Sequence, residues 1–208
     1  LTTDEWHAAL NSIEAYYDIG NGFLLRLLKE DDWSFVIKAH ALVEAAVSQL
    51  LTHHAGDSRL AKIFEQLEHA NTQTGKLAFI KALQLLTDAE RRFLREFAEL
   101  RNDLVHNVHN VRFRFADYIA EMDRNQQAAF TNWATYWVAP EGQSAWRQAA
   151  LRDPRHVLWV ATLSFVGECI EKTSEAKNRH AQIDRALSIL EILDSKPNDS
   201  ELSDGEPR

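Results

Sequence analysis

The segment ELRNDLVHNVHN, residues 99–110, sets an arginine, an asparagine and a histidine within six positions: Arg101, Asn102 and His106. A guanidinium offers a planar pair of donors to an oxyanion and stays charged at any ordinary pH. An imidazole titrates near neutrality, so it can take up a proton in one step and return it in another. Asn102 lies one helical turn before His106, close enough to orient its ring or to contact a ligand. An anion clamp beside a proton carrier is the chemistry these residue types can perform. Each also has a plainer account. A histidine near a helix C-terminus complements the helix dipole, and an Arg–Asn pair suits a solvated face.

The trio needs a helix to position it. Thr87 followed by Glu90 forms a capping-box pattern, and the apolar spacing predicts a helix from there to about Asn107. At about 100° per residue, Phe93, Phe97, Leu100 and Leu104 cluster on one face, the expected core side. Arg101 falls to one side, near Leu94 and Val105, while Asn102 and His106 point away from the core. Leu94, Ala98 and Val105 make a weakly apolar strip beside the histidine, which predicts a second, partly buried surface such as a dimer interface. Arginines at 91, 92, 95, 112 and 114 add positive charge, which Glu90, Glu96, Glu99 and Asp103 offset in part.

The rest of the chain reads as helices that could pack around this one. They are expected at 3–17, from Phe23 with an interruption at EDD (30–32), from Trp33 to His54, at 59–69 and at 76–86. Further helices are expected from Asp123 to Val138 and from Pro154 to Leu193, the last as one helix or as two joined near KNRH. Val36, His40, Val43, Val47 and Leu50 fall close to one line on the long early helix. The fold class is all-α, an up-and-down bundle with extra N- and C-terminal helices. One domain is expected over 1–195, and the polar, acidic composition of 196–208 predicts a disordered tail.

Composition bounds the function. Seven Gly and four Pro among 208 residues argue against turn-rich β architecture. The single Cys169 excludes an internal disulfide and a cysteine metal cluster, so a reducing, cytoplasmic setting is expected. A net charge of −8 excludes a uniformly basic surface, though a local patch can still hold an anion. No run of about 18 apolar residues is evident, so no membrane span is expected. The opening LTTDEWHAAL lacks the basic and apolar regions of a signal peptide.

RNDLVH, Arg101 to His106, resembles the R-x4-H motif of the HEPN superfamily, the higher eukaryotes and prokaryotes nucleotide-binding domain. WSFVIKAHALVEAAVSQLL resembles the early helix of that family, and GKLAFIKALQLLTDAERRFLREFAELRNDLVHN the helix pair that leads into the motif. The arrangement is also similar to proteins related to the mannitol operon repressor. The resemblance covers roughly residues 22–115, with the C-terminal helices completing the bundle. It implies a homodimer in which two motifs face each other, and a metal-independent endoribonuclease of toxin or defence type acting on RNA. On that implication His106 is the acid/base, Arg101 the phosphate clamp and Asn102 an orienting or RNA-contacting group. His109 is a possible helper. Glu44, with His40 one turn before it, is a candidate supporting group facing the motif. A nucleotidyltransferase-like antitoxin partner is a further implication. The alternative is a non-catalytic regulatory or binding protein like the mannitol repressor relatives.

Other signals are weaker. ANTQTGKL (70–77) fails as a phosphate loop, with Ala70 where Gly is needed and Leu77 in place of Ser or Thr. The pairs His53/His54 and His106/His109 lack metal-site context, so no metal and no cofactor are expected. Cys169 lies in an apolar stretch and reads as packing. Trp133 and Trp137 could stack on bases, but core or interface packing is the preferred reading.

Overall fold

The Thr2 hydroxyl accepts from the Glu5 amide, and Glu5 accepts in turn from the Thr2 amide at 2.7 Å. This reciprocal cap starts α1, Thr3–Tyr17. The computed structural model describes residues 2–68, 71 and 73–194, with side chains through 188. The tail expected at 196–208 lies outside the described residues. Buried Glu14 accepts from the amides of Gly22 (2.6 Å) and Leu24 (2.8 Å), tying α1 to the short α2, Phe23–Leu27. Asp31 then caps α3, Asp32–Ala55, by accepting from the Ser34 amide.

Helix α3 is the central strut. Its predicted line Val36, His40, Val43, Val47 and Leu50 is buried, and so are Phe35, Ala39, Leu42 and Ala46 on its other sides. A helix buried most of the way round is apolar most of the way round. By length and composition α3 could cross a membrane, with a mean hydropathy of 1.3 over an 18-residue window, of which 61% is buried inside the protein. The expected helix at 59–69 divides into a 3-10 turn at Ser58–Leu60 and α4, Ala61–Gln66, and residue 69 lies outside the described set.

The helix expected over 76–86 ends early. Helix α5 is Lys76–Ala82, and Gln84 takes a left-handed φ of 53°. The chain turns there, Leu86 enters the core, and Thr87 starts α6, Asp88–Val105. Past α6 the chain makes a 3-10 turn at Val108–Arg112 and a short α7, Phe115–Glu121, which local spacing does not predict. Asp123 caps α8, Arg124–Ala134, which ends four residues before its expected end at Val138. Helix α9, Gln143–Arg152, is a second helix without a clear local pattern. Helix α10 runs unbroken from Pro154 to Asp194. KNRH carries no Gly or Pro to break it.

The fold is thus an all-α bundle built round the α3–α10 pair. Helices α4, α5 and α6 pack on α3, and α8 and α9 pack on α10. One cluster of buried apolar side chains runs from Leu10 to Cys169. Polar ties close the pair. Arg155 on α10 pairs with Asp32 through Nε at 2.7 Å and donates to the Glu30 carbonyl at 2.7 Å. The Asp32 carboxylate also accepts from the Phe115 amide at 2.8 Å, which fixes the start of α7. Trp159 Nε1 donates to the Leu24 carbonyl at 2.7 Å.

Candidate functional site

Helix α6 carries the motif, and its local code is complete. Thr87 and Glu90 form the capping box, and Phe93, Phe97, Leu100 and Leu104 are buried as their spacing requires. The far end is pinned from three sides. The His106 amide donates to the Asn102 carbonyl at 3.2 Å. Trp33 Nε1 of α3 donates to the Leu104 carbonyl at 3.2 Å, and Asn110 Nδ2 donates to the Asp103 carbonyl at 2.6 Å. These bonds satisfy carbonyls that a helix end leaves open. The helix stops at Val105, two residues before its expected end, with His106 as its cap.

Arg101 is half-buried and donates from Nη1 to Asn102 Oδ1 at 3.0 Å. Among the described residues it makes no ion pair. Most arginines earlier on α6 do: Arg91 pairs with Asp88, and Arg95 with Glu96 at 2.7 Å. Across from Arg101, His40 on α3 is 3% exposed and packs its ring 6.0 Å from that of Phe97. Burial pushes its imidazole down to about 4. The Glu44 charge works against that shift, and the Arg101 and Lys76 charges work with it. At neutral pH His40 is therefore uncharged beside a guanidinium.

Glu44, one turn on, accepts from Lys76 Nζ at 2.8 Å. The Lys76 side chain is 1% exposed and that of Glu44 34%. The candidate supporting carboxylate is thus engaged by a buried lysine from α5. It also borders a cleft of about 640 Å³ whose walls include Tyr16, Ser48, Thr52 and Lys177.

His106 and His109 stand apart from this cluster, and both are exposed. Arg101 and His106 are five residues apart, which places them about 140° apart around the helix. Within one chain the fold holds Asn102 against Arg101, sets buried His40 within range of the Arg101 charge and Glu44 against Lys76, and leaves the motif histidine facing outward. His109 borders a hollow of about 340 Å³ shared with Asp103, Arg112, Arg114 and Asp117.

The apolar strip expected beside His106 is corrected. Leu94 and Ala98 are 0% and 1% exposed, because α6 is flanked by α3, α5 and α8. Open apolar surface lies past the helix end instead. Val105, Val108 and Val111 are 37%, 81% and 56% exposed. They alternate with His106, His109 and Arg112.

Lys76, Trp33 and Asn110 went unread in the sequence. Lys76 looks like an ordinary helix-surface lysine, and the partners of Lys76 and Trp33 lie 32 and 71 residues away. Gly75 has a steric role, since a Cβ there would meet the Glu68 carbonyl at 2.2 Å. The adjacent lysine turns inward to Glu44. Among the described residues no group of three or more His, Cys, Asp or Glu is placed to hold a metal ion. Cys169 is 0% exposed, and burial pushes its thiol well up. Trp133 is 5% exposed and packs edge-on to Phe130 at 5.1 Å, while half-buried Trp137 packs on Trp146 at 4.6 Å. The chain matches no family model, and searches of curated proteins and of solved structures return no match.

Proposed function

We propose that the chain is a HEPN-type, metal-independent endoribonuclease that acts as a homodimer in a cytoplasmic toxin or defence role. The observation that carries this reading is Arg101: a half-buried guanidinium with no ion pair among the described residues, in a chain of net charge −8 with 31 acidic residues. An arginine kept from a carboxylate in such a protein is available to an external oxyanion. In RNA cleavage the 2′-oxygen bonds to phosphorus and the bond to the 5′-oxygen breaks. One proton leaves the 2′-hydroxyl and one arrives at the 5′-oxygen. His106 is placed in solvent to carry a proton, and Arg101 to stabilise the charge gathered at phosphorus. Asn102 holds the guanidinium. The divergence of Arg101 and His106 around α6 is met by a second copy, whose histidine supplies the partner to this arginine. The exposed Val105, Val108 and Val111 give that copy an apolar surface to cover.

The test is cleavage of single-stranded RNA, with chelator present, by the wild type beside Arg101→Ala and His106→Ala. Loss of at least 100-fold in both variants, with fold and dimer intact, is expected. No cleavage by any of the three, or equal cleavage by all, removes the reading.

A second reading is a non-catalytic regulatory or binding protein similar to mannitol operon repressor relatives. What favours it is charge: Arg91, Arg92 and Arg95 are paired with carboxylates, so the first turns of α6 offer RNA no free basic patch. A nucleotidyltransferase-like antitoxin is a proposed partner under the first reading, checked by co-purification.

A further inference from the structure

Helix α10 is 41 residues long, and the bundle uses only its first part. Its side chains enter the core as far as Ala176, 3% exposed. His180 still lies against the bundle, where a Cβ on Gly56 would sit 2.5 Å from its ring. Every side chain from 181 to 188 is exposed. The helix continues to Asp194, about 21 Å beyond His180. Ile183 and Leu187, one turn apart, stand 49% and 53% exposed. Steps of seven and four residues keep Ala176, Ile183 and Leu187 within about 40° of one line. The face that enters the core thus continues as an apolar stripe beyond it. A free helical stretch of this length is marginal in water, and a second helix is what covers such a stripe.

Charge selects the occupant. Within about 60° of the Ile183–Leu187 line by helical rotation, the sequence carries Arg179 on the near half of the arm and Glu191 and Asp194 on the far half, while Arg185 falls on the opposite face. This order opposes the helix dipole, which favours cations in the last turn, where α10 has none. A parallel copy would set like charge on like. An antiparallel copy sets the basic half of each arm against the acidic half of the other, with Ile183 and Leu187 between them. Such a patch is self-complementary, as a two-fold axis requires. We propose that the projecting end of α10 pairs antiparallel with the same segment of a second copy of the chain, through residues other than those of the 101–111 segment. Two helices of this length bury less than a standard interface of about 1,600 Å², so the pairing is reversible and concentration-dependent.

Sedimentation velocity of the full chain over a concentration series tests this. The expected result is a species of twice the 23.8 kDa chain mass that dissociates on dilution. Ile183→Glu/Leu187→Glu and, separately, Arg179→Glu are each expected to weaken it at least tenfold. These three positions are exposed, so circular dichroism should be unchanged. Orientation is read by oxidising a mixture of Arg179→Cys and Asp194→Cys chains, with Cys169 silent because it is buried. A disulfide between unlike chains supports the antiparallel arrangement, and disulfides only between like chains overturn it. A chain that stays monomeric, or a dimer that the Ile183→Glu/Leu187→Glu variant forms as tightly as the wild type, also overturns the proposal. The last outcome leaves a dimer on the His106 face standing, so the two readings fail separately.

Discussion

His40 shows what a single side chain contributes by staying neutral. Its imidazole is held at about 4 against an ordinary 6.5. Between those values the unfolded chain binds a proton that the folded chain refuses. Stability from this residue is therefore full above pH 6.5 and is lost as pH falls through about 4. The loss amounts to about 3 kcal/mol. Urea melts at pH 7 and pH 4 should show it in the wild type, and a His40→Leu variant should lack that part of the slope. Glu44 and Lys76 give a second residue-scale expectation, an asymmetric one. Glu44→Ala strands an ammonium that is 1% exposed and should cost about 3 kcal/mol. Lys76→Met leaves a carboxylate that is 34% exposed and can rehydrate, and should cost less than about 1 kcal/mol. Equal losses in the two melts would mean that the burial of Lys76 is not what sets the cost.

Among the elements, α6 is the one whose sequence specifies it from end to end. Thr87→Ala removes the reciprocal cap with Glu90 and should cost about 1 kcal/mol, or about 2–4 °C in a thermal melt of a chain this size. The same substitution at Thr2 should matter less, because that cap is exposed while the α6 cap is part-buried against Glu90, 7% exposed. Helix α6 was legible because its signals are local: a box at the start, a 3.6-residue apolar period, and eighteen residues over which to repeat it. Helix α5 was read four residues too long, and helices α7 and α9 were not read at all. They have seven, seven and ten residues, too few for a period to declare itself. The start of α7 depends on Asp32, 83 residues earlier, accepting from the Phe115 amide. The end of α5 depends on Leu86 finding the core, which forces the left-handed turn at Gln84.

Across the whole molecule, Arg155 and Asp32 join α10 to the α2–α3 elbow over 123 residues of sequence. Arg155→Ala should cost about 2 kcal/mol, because it also leaves the Leu28 and Glu30 carbonyls without their donor. A double-mutant cycle with Asp32→Asn should return a coupling of about 1 kcal/mol or more, and additive losses would show the pair to be independent. The sequence by itself determined the all-α class, the central α3, and the helix that bears Arg101, Asn102 and His106. These rest on periodicity and caps, which act between residues three and four apart. Only the tertiary structure decided that the Arg101 charge falls within range of a neutral His40, that Glu44 is engaged by Lys76, and that Leu94 and Ala98 are covered. The physical reason is distance along the chain. Helical rotation gives the direction in which a side chain leaves its own helix, but what meets it there depends on helices packed from 32 to more than 100 residues away.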